Sequence, residues 1–119
     1  MKILVIDDSP AMISMIESIL RQASHNVKTC NDSEEAEAQI AQEQPDLVLL
    51  DVVMPKKSGY DILRKLKRNA DTKHIPVVLV SSKQEESDIM WGKRQGAADY
   101  LGKPFDAEGL LAVVSRFEG

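Results

Sequence analysis

A chain of 119 residues, 43% hydrophobic and 29% charged, suits one self-sufficient core and not two, and is too apolar for a disordered segment. A formal charge of −4 leaves no concentration of Lys and Arg able to neutralise nucleic-acid phosphates or an anionic membrane. The single cysteine, Cys30, excludes an internal disulfide and a multi-thiolate metal site.

The first apolar run, Ile3 to Ile6, is a strand that stops at Asp7-Asp8. It is far too short for a signal sequence or membrane insertion, so the expected location is cytoplasmic. Ser9-Pro10 opens a helix, a capping hydroxyl followed by proline at the first helical position. Met12, Met15, Ile16, Ile19, Leu20 and Ala23 form its apolar stripe. Asn26 to Cys30 reads as a short strand in which Cys30 is a small buried hydrophobe. Asp32 and Ser33 then cap a polar helix from Glu34 to Ala41, whose leading carboxylates suit the helix dipole.

Asp46 to Asp51 is a third strand, four apolar residues ending in a carboxylate before a Pro/Gly loop. A helix carrying Tyr60, Ile62, Leu63 and Leu66 follows, with Lys65, Lys67 and Arg68 at its end. Ile75 to Val80 is the fourth strand, its proline near the start where no ladder donor is lost, and Ser81-Ser82-Lys83 closes it. Glu85 to Gln95 forms a helix with Gly96 as its C-cap. Ala97 to Lys103 holds the fifth strand with its lead-in. After Pro104-Phe105, Asp106 caps a last helix that buries Leu110, Leu111, Val113, Val114 and Phe117.

Five strands alternating with five helices imply right-handed crossovers and a parallel sheet covered on both faces. The expected fold is α/β, a flavodoxin-like doubly wound (βα)5 sandwich of strand order 2-1-3-4-5, in a single domain over residues 1–119. In such a sheet every strand C-terminus lies along one edge. That edge receives Asp7 and Asp8, Asp51, Ser81 and Lys103. Carboxylates this close repel one another unless a cation intervenes, and an oxygen-only set favours a hard divalent ion, Mg²⁺ first. Ser81 and Lys103 suit phosphoryl oxygens as a hydroxyl donor and a cation, and a carboxylate at the centre can become an acyl phosphate. Singly, each of these residues has a plain structural explanation as turn former, cap or solvated charge; together at successive strand ends they do not.

Ile3 to Ser9, Asp51 with Met54-Pro55 and Gly59, Ser81, and Lys103-Pro104-Phe105 resemble the response-regulator receiver (CheY-like) domain of two-component signalling, from end to end and in order. The resemblance implies that Asp51 accepts a phosphoryl group from a phosphohistidine on a CheA-like sensor histidine kinase. It implies that Asp8, Asp51 and the Val53 backbone carbonyl hold Mg²⁺, with Mn²⁺ as a substitute, while Asp7 acts through a metal-bound water. Ser81 would hydrogen-bond the phosphoryl group, Lys103 would pair with it, Tyr100 would be the aromatic switch, and Lys103-Pro104 would be cis. Such a protein is no enzyme toward external substrates; it catalyses only its own phosphoryl acceptance and loss.

Trp91 to Ala97 leading into Asp99-Tyr100-Leu101, with Asp51 to Pro55 and Ser81 to Lys83, is similar to the PilH-type stand-alone receivers of type IV pilus chemosensory systems. That implies a downstream pilus or motility protein as partner, no nucleic acid, and a monomer or a weak phosphorylation-dependent dimer. Val53 and Lys83 depart from the commonest receiver pattern and are expected to set the phosphate's lifetime. Trp91 reads either as core filler or as an interface anchor. With Ile89 and Tyr100 it would mark an output face, on a helix that Gly92 weakens by about 1 kcal/mol. A phosphorylation-independent scaffold, a receiver excised from a larger regulator and an aspartate-nucleophile phosphatase are the alternatives. The last would want its nucleophile after strand one, a cap insertion and a substrate pocket. A flavin carrier fits worse, because the loop after strand one is acidic where phosphate needs backbone donors.

Overall fold

The apolar runs become strands and the stretches between them helices. A computed structural model of the protein describes residues 1–118. The chain runs β1 (Lys2–Ile6), α1 (Pro10–Gln22), β2 (Asn26–Cys30), α2 (Ala36–Glu43), β3 (Leu47–Asp51), α3 (Gly59–Arg68), β4 (Val77–Ser81), α4 (Glu86–Arg94), β5 (Asp99–Gly102) and α5 (Ala107–Ser115). All neighbouring strands pair in parallel, in the order β2-β1-β3-β4-β5. This is the expected doubly wound α/β sandwich.

Alternation along the strands builds a core on each face of the sheet. Leu4, Ile6, Val48, Leu50, Val77 and Leu79 meet Ile40 of α2 and Ile62, Leu63 and Leu66 of α3. Ile3, Val5, Leu47, Leu49, Val78 and Val80 meet Ile16 and Leu20 of α1 and Leu110, Val113 and Val114 of α5. Each such side chain, fully buried, stabilises the fold by about 1.5–3 kcal/mol before chain entropy is counted. Cys30 is buried, as expected, and burial pushes its thiol above the ordinary value.

The caps follow the local chemistry. Ser9 accepts from the Met12 amide, and Asp106 from the Gly109 amide at 2.7 Å. Gly96 closes α4 with φ 111, where only glycine is unstrained. One cap differs from the expectation. α2 begins at Ala36 rather than Glu34, and neither Asp32 nor Ser33 caps it. The Asp32 carboxylate turns back on the Glu34 amide at 3.0 Å, a local bond that competes with helix initiation. The Ser33 hydroxyl leaves the helix altogether and donates to the Pro55 carbonyl at 2.7 Å. The fourth strand also starts later than expected, at Val77, because Pro76 has no amide to offer its neighbour and only its carbonyl pairs, with the Val48 amide.

α4 differs most from its neighbours, with Gly92 as its sole buried residue. A Cβ at Gly92 would lie 2.8 Å from Leu79 Cδ1 and 3.2 Å from the Tyr100 ring. The glycine therefore lets the helix approach the sheet, a packing reason beyond the loss of helix propensity.

Candidate functional site

Parallel pairing carries Asp7 and Asp8, Asp51, Ser81 and Lys103 to one edge of the sheet. Asp51 lies opposite Val80 and Ser81 opposite Gly102, so the ends of β3, β4 and β5 fall within one residue of each other. Asp7 and Asp51 are 2% and 5% exposed, whereas Asp8 faces solvent. Each of the three aspartates offers an oxygen within 4.8 Å of the others. Lys103 Nζ stands 3.1 Å from both Asp7 Oδ2 and Asp51 Oδ1. The other oxygen of Asp7 accepts the Ser9 amide at 2.9 Å, which fixes the loop after β1.

The electrostatics are unbalanced. Burial, with the charges of Asp7 and Asp8, pushes Asp51 up to about 6, against the pull of Lys103. Burial alone would lower Lys103, but its hydrogen bonds to Asp7 and Asp51 outweigh that and hold it above its ordinary value. Three aspartates and one ammonium leave the cluster short of positive charge. An all-oxygen donor set with that deficit fits a hard divalent cation.

The loop after β3 is held close to the site. The Gly59 amide donates to the Val52 carbonyl at 2.8 Å, and a Cβ at Gly59 would overlap the Asp51 backbone oxygen, so only glycine fits. Between these anchors Val53 presents a side chain that is 60% exposed. Ser81, 1% exposed, accepts the Lys83 amide at 3.1 Å. The Lys83 carbonyl in turn receives the Tyr100 hydroxyl at 2.5 Å. Lys103-Pro104 is cis, as the resemblance implied. Ile89 is half-buried on α4, while Met90 and Trp91 are 49% and 48% exposed, which removes the core-filler reading of Trp91.

Three residues around the site make contacts that the sequence does not signal. Gln84 donates its amide to the Lys103 carbonyl and covers the space that Gly102 leaves empty. Tyr60 of α3 packs on the same core as Tyr100; burial, then Tyr100 and Asp88 nearby, push its phenol up to about 12. Ser33 reaches the loop after β3. None carries a local signal, because each acts on a segment remote in sequence.

Residues 3–115 match the family described as response regulator receiver domain. The chain belongs to that family. This receiver is 42% identical to Protein PilH of Pseudomonas aeruginosa over 96% of its own length and 94% of that protein's. It is 41% identical to the response regulator PleD of Caulobacter vibrioides over 95% of its length, but spans only 25% of that protein. Among solved structures, the chemotaxis protein CheY4 of Vibrio cholerae superposes with a TM-score of 0.91 at 29% identity, covering 98% of both chains. The receiver is thus CheY-like in structure and similar to PilH in sequence. Among its described residues no helix is long and apolar enough to cross a membrane.

Proposed function

We propose that this receiver is a cytoplasmic response regulator in which Asp51 accepts a phosphoryl group from the phosphohistidine of a sensor histidine kinase. One observation carries the reading: a single ammonium, Lys103, bridges two buried carboxylates in a cluster of three. An Asp51 oxygen forms the bond to phosphorus while the phosphorus–nitrogen bond of the donor breaks and its electron pair stays with the imidazole. At neutral pH Asp51, near 6 without metal, is already largely ionised and able to attack.

Asp8, Asp51 and the Val53 carbonyl would hold Mg²⁺, with Asp7 acting through a water. The ion supplies charge neutralisation to the phosphoryl oxygens. Lys103, already on Asp51, pairs with a phosphoryl oxygen, and Ser81 turns its hydroxyl toward another. That movement disturbs the bond from the Lys83 amide to Ser81, and Tyr100, held on the Lys83 carbonyl, carries the change to α4. Val53 and Lys83 would govern the approach of the hydrolytic water, an effect that the decay rate of the adduct measures.

In keeping with its 42% identity to PilH over nearly the whole of both chains, the receiver is taken to be a stand-alone regulator whose target is a pilus or motility protein rather than nucleic acid. Its self-association is then at most weak and phosphorylation-dependent. Incubation with Mg²⁺ and acetyl phosphate, or with a phosphorylated kinase domain, is expected to add one phosphate by intact mass to the wild type and none to Asp51→Asn. Absence of an adduct with every donor would replace this reading with the scaffold. Hydrogen exchange is expected to change across α4 and β5 when beryllofluoride is added. Identical exchange with and without it would remove Ile89, Trp91 and Tyr100 as the output face.

A further inference from the structure

The loop between β3 and α3 is anchored at two points around Val53. At its near end the Gly59 amide holds the Val52 carbonyl. At its far end Pro55, Lys56 and Lys57 form a three-residue turn, closed by the Lys57 amide on the Pro55 carbonyl at 2.9 Å with Lys56 at φ 72. Turns of this kind are strained, and a side chain with a Cβ disfavours that φ. Something outside the turn must hold it.

Ser33, from the segment before α2, meets both ends of the turn. Its hydroxyl donates to the Pro55 carbonyl at 2.7 Å and accepts from the Lys57 amide at 3.3 Å. At 4% exposure, no water competes freely for these bonds. Lys56 is also held by charge, its Nζ 3.8 Å from both Asp32 and Glu34. Met54, 9% exposed, seats the middle of the loop in the core. Asp8, Ser33 and Pro55 line one groove of about 240 Å³.

We propose that Ser33 is a positioning residue for the cation site: its hydroxyl braces the Pro55–Lys57 turn and so sets where the Val53 carbonyl stands relative to Asp8 and Asp51. The inference rests on the phosphoryl-acceptor reading, which makes that carbonyl a ligand. A carbonyl contributes to a cation only within a few tenths of an ångström of its place. Releasing the turn lets Lys56 relax toward ordinary backbone and draws the loop with it.

Calorimetric Mg²⁺ titration, with amide exchange of the metal-free protein, tests the proposal. Ser33→Ala is expected to weaken Mg²⁺ binding about tenfold, the scale of lost outer-shell support, and to speed exchange of the Lys57 amide. Adding Lys56→Gly, which accepts the positive φ without strain, is expected to restore most of the affinity. Ser33→Thr, which keeps the hydroxyl, should stay near wild type; Ser33→Cys, whose thiol is a poor donor and acceptor, replaces Ser33→Ala if that variant does not fold and should weaken binding in the same direction. A general packing role would lower stability without this rescue. Unchanged Mg²⁺ affinity in Ser33→Ala, or a loss that Lys56→Gly does not repair, overturns the brace. If the wild type itself binds no Mg²⁺, the function above fails instead, and unaltered Lys57 exchange in Ser33→Ala would then reject the brace separately.

Discussion

In metal-free buffer at pH 7 to 8, Asp51→Asn is expected to be more stable than the wild type. The folded carboxyl titrates at about 6 against an ordinary 3.8. Between those values the folded chain keeps a proton that the unfolded chain has released, so stability falls as pH rises through that window. Above it the penalty is complete, on the order of 2–3 kcal/mol for a shift of about two units. Asparagine keeps an acceptor for Lys103 without the charge. Removing the penalty should raise Tm by about 10 °C in a domain of this size. Below pH 4 both carboxyl and amide are neutral, and the two proteins should converge. Thermal melts at pH 3.5 and 7.5 in chelator check this; a variant less stable than wild type at pH 7.5 would mean that Asp51 is not the frustrated member of the cluster. The group that would carry the signal thus weakens the fold that holds it.

Lys103→Met is expected to act in the opposite direction on the same site. The ammonium is the only cation bonded to Asp7 and Asp51 among the described residues, and both carboxylates are almost wholly buried. Methionine keeps most of the stem's packing and removes the charge. Without metal at pH 7, the variant should lose about 3 kcal/mol, as buried pairs do when one partner is deleted. Mg²⁺ should return much of that loss, because a cation that no longer competes with an ammonium meets fuller negative charge. Its affinity should rise at least about tenfold, since a unit charge a few ångströms from a divalent ion costs more than that even at high effective dielectric. Denaturant unfolding with and without Mg²⁺ measures both effects. Weaker Mg²⁺ binding in Lys103→Met would show that Lys103 supports the cation rather than opposing it.

Both predictions concern residues that could be picked out from the sequence because strand ends are local features. A run as short as Leu47 to Leu50, bounded by Pro45-Asp46 and a Pro/Gly loop, reads as a buried strand, and the residue that stops it, Asp51, then stands at its C-terminal edge. The alternation of strands and helices then requires parallel pairing, and parallel pairing gathers Asp7, Asp8, Asp51, Ser81 and Lys103 whatever the loops do. Ser9 and Asp106 were legible as caps because their partners lie three residues on. Ser33 looked like the same kind of residue and was not. Its partners are Pro55 and Lys57, and no property of residues 30–41 points toward them.

Periodicity and strand termination, which act over a few residues, were enough for the fold class and for the chemistry gathered at the sheet edge, while the strand order followed from the family pattern of the doubly wound fold. How that chemistry is poised depends on packing between remote segments. That packing placed one ammonium between two carboxylates, and set Asp51 near 6 through burial. It also gave Gly92 to the Tyr100 ring, left Met90 and Trp91 in solvent and sent Ser33 across to the loop after β3. Such features depend on distances between segments far apart in the chain, which side-chain packing sets and local sequence does not encode.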